Sequence, residues 1–75
     1  MVDREIFSER LKTLRLIEKA TMVDVAKALA LSKQSVHQWE TRKTIPNTDK
    51  LVELADYFDV SLDYLVGRSD VAERR

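Results

Sequence analysis

The chain has 75 residues, 13 Lys+Arg against 13 Asp+Glu for a formal net charge of zero, one His and no cysteine; this excludes a disulfide framework, a thiolate metal site and a second core, and a lone His cannot hold a transition metal by itself. The longest apolar runs fall far short of the roughly 20 residues that cross a bilayer, and the start MVDREIF lacks the basic-then-apolar order of a secretion signal, so a reducing cytoplasm is the expected compartment, with no membrane partner. A single Gly and a single Pro leave almost no material for hairpin turns or a glycine-rich phosphate loop, and the expected fold is all-α.

The spacing predicts five short helices. The first runs from about Arg4 to Lys19, with Phe7, Leu11, Leu14 and Ile17 three or four residues apart on one buried stripe. The second, about Met22 to Leu29, starts at Thr21, which with Asp24 three residues later makes a capping-box pair; Val25, Ala26 and Leu29 face inward. Ser32 caps a third helix, Lys33 to about Thr41, with Val36 and Trp39 inward. After the polar loop TRKTIP, Asn47 caps a fourth helix, about Thr48 to Phe58, carrying Leu51, Leu54, Ala55 and Phe58 at i, i+3, i+4 and i+7. Ser61 caps a last turn through Val66, and Gly67 stops it. Residues 1–67 thus form one expected domain, and the charged stretch 68–75 an expected loose tail.

Between the second and third helices only Ala30 and Leu31 separate Leu29 from the Ser32 cap, a turn tight enough to set the two helices at a steep angle. That is the layout of a helix-turn-helix, whose second helix enters the DNA major groove with the N-terminal half of its outer face. Lys33, Gln34, His37 and Gln38 occupy that face. A Gln amide bonds bidentately to adenine and a Lys ammonium donates to guanine, which makes Lys33, Gln34 and Gln38 candidate base readers; His37 beside them is a further candidate, though a lone exposed His is more often simply solvated. Helix N-termini attract phosphate, so Thr21, Ser32 and Ser35 are candidate backbone contacts, joined by Arg42 and Lys43 in the following loop. Charge distribution agrees with this reading despite the zero total. Lys27, Lys33, Arg42, Lys43 and Lys50 are interrupted only by Glu40 and Asp49, whereas residues 51–66 carry Glu53, Asp56, Asp59 and Asp63 and no cation.

The segments FSERLKTLR, VAKALALSKQSVHQWE and LADYFDVSLDYLVG, spread over about four fifths of the chain, resemble the phage repressor and Cro helix-turn-helix family. The resemblance implies a compact five-helix, lambda repressor-like domain with its helix-turn-helix at the second and third helices, binding double-stranded DNA as a homodimer. It also implies an ion pair between Arg15 and Glu40 that ties the first helix to the end of the recognition helix. Three positions depart from the family pattern: Met22 stands where a phosphate-binding Gln is usual, and Ala30 and Arg42 stand where turn glycines are usual. Around the last helix Tyr57, Tyr64 and Val66 either complete the small core or form a self-complementary patch. In the second case Leu62, Tyr64 and Val66 are candidates for the two-fold interface, which would set two recognition helices about 34 Å apart on a palindromic operator, the alternative being a monomer that dimerises only on DNA.

No nucleophile with a neighbouring base, no paired carboxylates and no metal cluster can be assembled, so neither catalysis nor a cofactor nor a small-molecule substrate is expected. The competing reading is a protein-interaction module of the same fold, an antitoxin or anti-repressor partner, which the neutral net charge, Met22 and the acidic fourth helix would suit.

Overall fold

The computed structural model describes residues 2–74, and within them five helices and no strand: α1 (Arg4–Ile17), α2 (Met22–Ala28), α3 (Lys33–Glu40), α4 (Thr48–Phe58) and α5 (Leu62–Leu65). Each starts behind a short polar residue, namely Asp3, Thr21, Ser32, Asn47 and Ser61. In four of the five, that side chain accepts the amide of the third helical residue and so satisfies one orphan donor of the first turn. Thr21 and Asp24 complete the expected capping box, with Thr21 N–H donating to Asp24 Oδ2 at 2.9 Å and Asp24 N–H donating to Thr21 Oγ1 at 3.0 Å. Ser32 occupies its cap position but makes no side-chain bond to its own helix.

All five helices end in the same way. The residues that break them, Lys19, Ala30, Arg42, Asp59 and Gly67, have φ of 55°, 57°, 66°, 54° and 87°. In each case the next amide reaches back five residues, as Leu31 N–H does to Ala26 O (2.8 Å) and Lys43 N–H to Gln38 O (2.9 Å), which is the Schellman arrangement. Only the last of these stops uses the glycine that the left-handed region favours. Gly67 has a second reason to lack a side chain: a Cβ there would lie 3.0 Å from Asp3 Cβ and 3.1 Å from Ile6 Cβ, because Asp3 N–H bonds to Val66 O at 3.0 Å and seats the start of α1 on the end of α5.

The core takes one stripe from every helix. Phe7 and Leu11 of α1 meet Val25 and Ala26 of α2, Val36 and Trp39 of α3, Leu51, Leu54, Ala55 and Phe58 of α4, and Leu65 of α5, all of them buried. Leu29, Val60 and Val66 fill the joints between helices. Two expectations are corrected here. Ile17 is 67% exposed and lies outside the stripe; at 100° per residue it sits about 80° away from Phe7, whereas Leu11 and Leu14 stay within about 40°. Val66 is only 6% exposed: it completes the core and offers almost no surface to a second copy.

The tail is a third correction. Residues 68–74 form no helix, yet they lie back along α5 and the end of α4 instead of hanging loose. Arg10 Nη1 donates to the carbonyls of Tyr64 and Ser69, Ser61 N–H donates to Ala72 O at 2.9 Å, and Ala72 packs on the core.

Candidate nucleic-acid interface

The turn between α2 and α3 is built by Ala30. Its left-handed φ lets Ala30 N–H bond to Lys27 O and Leu31 N–H to Ala26 O, so the chain reverses within two residues and α3 leaves at once. Val25, Ala26 and Leu29 on one side and Val36 and Trp39 on the other are buried together, which fixes the rotation of α3 about its axis. With Val36 and Trp39 inward, Lys33, Gln34 and His37 are exposed and Gln38 half-buried on the outer side, while the half-buried Ser35 lies on the flank, about 40° from Trp39 at about 100° per residue. The four side chains proposed from sequence as base readers therefore share one outward row, and none is turned into the interior.

A bidentate ion pair holds the far end of this helix. Arg15 Nε and Nη2 donate to the two carboxylate oxygens of Glu40 at 2.6 and 3.0 Å, and Nη1 donates to Ala20 O at 3.1 Å. The side chains are 12% and 3% exposed, so the pair is largely desolvated. The hydrogen bond to Glu40 raises the pKa of Arg15 above its ordinary value, against the opposing effect of burial. The one acidic side chain of the recognition helix is thereby neutralised internally and kept off the outer row.

Cations rim the row unevenly. Among the described residues Lys33 and Lys43 have no ion-pair partner, and Lys43 follows directly on the left-handed Arg42. Arg42 Nη1 stands 3.8 Å from Glu5 Oε1, an exposed and weak pairing that leaves most of the guanidinium in solvent. Lys50, counted among the basic residues of this stretch, is committed elsewhere: its ammonium donates to Leu29 O at 2.8 Å and pairs with Glu53 at 3.1 Å. It closes the open C-terminal end of α2 and braces the turn. Nothing in the sequence marks this role, because its partner is a backbone carbonyl 21 residues away.

At the helix starts, the Ser32 hydroxyl is uncommitted to its own helix, while Thr21 is engaged in its capping box. Asp24 lies beside Thr21, with its pKa lowered by the Thr21 amide and hydroxyl, so a fixed negative charge sits at the beginning of α2. Met22 is half-buried against the core. Among the described residues no cluster of His, Asp or Glu is arranged to hold a metal ion, and no helix is long and apolar enough to cross a membrane.

Comparison with known proteins places this geometry in company. A family model described as helix-turn-helix matches residues 11–65. HTH-type transcriptional regulator YobD of Bacillus subtilis strain 168, itself uncharacterized, is 38% identical over 65 residues, covering 87% of this chain and 58% of that protein. HTH-type transcriptional regulator ImmR of the same organism is 30% identical over 66 residues, covering 88% of this chain and 52% of its own length. The solution structure of the SOS-response transcriptional repressor LexA from Eubacterium rectale superposes with a TM-score of 0.80 at 32% identity, over 84% of this chain and 67% of that one. The chain thus spans only about half the length of these two curated relatives.

Proposed function

This chain belongs to the helix-turn-helix family of DNA-binding transcriptional regulators, and from that premise we propose that it represses transcription by gripping a palindromic operator as a homodimer. In this reading Lys33, Gln34, His37 and Gln38 read base edges in the major groove, while Thr21, Ser32, Ser35, Arg42 and Lys43 hold phosphates on either side. Leu62 and Tyr64 supply surface to the two-fold contact. Residues 1–67 act as the DNA-binding unit, and with duplex DNA as ligand the setting is the cytoplasm.

The observation that carries the reading is the fixed outward row on α3. Val36 and Trp39 set its rotation, the Arg15–Glu40 pair holds its end, and the one acidic group of the helix is turned away from where phosphates would lie. Selection of bound sequences from a random duplex pool tests it. Recovery of a palindrome whose half-sites lie about one helical turn apart supports the full proposal, and failure to enrich any sequence overturns it.

A second reading, a protein-binding module of the same fold, draws on the zero net charge, on Asp24 at the start of α2 and on the diversion of Lys50. Fluorescence polarisation of random duplex over a salt series separates the two. A regulator's affinity falls steeply with salt, whereas silence at every salt concentration with micromolar protein favours the protein partner.

A further inference from the structure

The face that the homodimer reading gives to a second copy is already partly occupied by the chain's own tail. Past Gly67 the backbone returns over the start of α5, where Ser61 N–H donates to Ala72 O at 2.9 Å and the Ser61 hydroxyl donates to Val71 O at 3.1 Å. Two arginines pin it. Arg10 lies over the Tyr64 ring at 4.0 Å from its centroid, donates to Ser69 O at 2.7 Å and pairs with Asp70 at 3.0 Å. Arg74 pairs with Asp56 of α4 at 2.6 Å and with Asp59 at 3.5 Å. The same Arg74 forms one wall of a hollow lined by Val52, Ala55, Val60 and Leu62, and beside it Val52 and Leu62 are still 42% and 38% exposed. An apolar strip between α4 and α5 is therefore bordered on one side by a charged segment that has no helix or sheet of its own, and the strip stays partly open.

Resting on the homodimer reading, we propose that residues 69–74 are a detachable strap that, when docked, denies part of the α4–α5 face to a second copy of this chain. The fastenings suit release. The Asp70 side chain is fully exposed, the Arg74–Asp56 pair is about half exposed, and such pairs are individually weak and screened by salt. The remaining fastenings, the Arg10–Ser69 and Ser61–Ala72 bonds and the packing of Ala72, set the cost of release, and a segment held by so few contacts can open locally without unfolding the body. Asp56 and Asp59, left behind at the rim, are exposed enough to hydrate when Arg74 departs. In the limit where a docked copy does not pair, each copy must free its own tail and the cost enters twice: a strap docked for about nine-tenths of the time lowers apparent dimer affinity by up to about 100-fold. Undocking is then a control point for operator binding that leaves the recognition helix untouched.

The test uses the 75-residue chain and its Arg74→Glu variant, which sets like charges against Asp56 and Asp59, alone and combined with Asp70→Lys, which does the same against Arg10; both leave Ala72 to pack on the core. Hydrogen exchange at the Ser61 amide reports docking, and sedimentation equilibrium without DNA reports self-association. The expected result is faster Ser61 exchange together with self-association at least about tenfold tighter in the variants. Faster exchange with equal or weaker self-association overturns the strap, and so does unchanged exchange, since the pins would then not hold the tail. A duplex-DNA titration of the same samples reads the regulator proposal separately. Absent DNA binding with tighter self-association would sink that reading and leave the strap standing.

Discussion

Arg15 reaches from α1 across to the last residue of α3 and takes both carboxylate oxygens of Glu40, at 2.6 and 3.0 Å, while its third nitrogen holds Ala20 O in the link to α2. One guanidinium thus joins the three segments that set where the recognition helix points. Removing it leaves Glu40, whose side chain is 3% exposed, charged and without a partner. Arg15→Ala is expected to cost about 3 to 5 kcal/mol, read by thermal or urea unfolding. The double variant Arg15→Met/Glu40→Met should recover most of that loss, because two apolar side chains need no counter-charge. A melting temperature unmoved by Arg15→Ala would show the pair to be dispensable.

Ala30 adopts φ of 57° at the turn between α2 and α3, where its Cβ crowds the following carbonyl. Ala30→Gly removes that crowding and keeps both Schellman bonds. The variant is expected to gain on the order of 1 kcal/mol, partly offset by the greater freedom of Gly in the unfolded chain, and so to melt a few degrees higher. The same substitution at Asp59 should gain less, since Asp tolerates the left-handed region better than Ala. A lower melting temperature for Ala30→Gly would mean that the methyl group makes a contact worth more than the strain.

These stops show where the sequence was legible and where it was not. Starts could be read because a capping side chain is a local signal: Thr21 with Asp24, Asn47, and Ser61 each announce a helix whose first-turn amides need an acceptor. Val36 and Trp39 likewise fixed the inward side of α3 by spacing alone, and the Arg15–Glu40 pair followed from the family resemblance. Ends were harder. A Schellman stop at Lys19 or Asp59 leaves no mark in composition, because backbone bonds and packing impose the left-handed conformation on an ordinary residue. The roles of Lys50 and Arg10 stayed hidden for a related reason. Both donate to backbone carbonyls distant in sequence, at Leu29, Tyr64 and Ser69, and a carbonyl has no residue type to recognise. Burial of Val66 followed from the seating of α1 on α5, a tertiary contact that the periodicity of a single turn of helix does not contain.

Asp24 gives the α2 cap a dependence on pH. Its carboxylate accepts the Thr21 amide and interacts with the Thr21 hydroxyl, which together hold its pKa below the ordinary carboxylate range. A group with a lowered folded-state pKa stabilises the fold above its unfolded pKa and loses that contribution as pH falls through the folded value. The wild type should therefore shed part of its helix α2 stability as pH falls below about 4. Asp24→Asn should be the less stable protein near neutral pH and should lack this component of the acid transition. Parallel stability curves for the two proteins between neutral pH and strong acid would contradict the assignment.

Gln34 and Lys43 divide the two tasks of the proposed interface. Gln34 is on the outward row of α3, one residue into the helix, where an amide can satisfy both adenine positions at once; Lys43 is in the exposed loop behind it, where a cation meets phosphate whatever the sequence. Gln34→Ala is expected to weaken operator binding by about 1 to 3 kcal/mol and to relax preference at one base position, with little change on random duplex. Lys43→Ala should weaken operator and random DNA alike and lower the slope of log affinity against log salt by about one. The measurement is a polarisation titration of each variant on both duplexes across a salt series. If both variants lose affinity equally on operator and random DNA, Gln34 is a backbone contact and the base-reading row must be sought elsewhere on α3. If neither loses any, the row does not touch DNA at all.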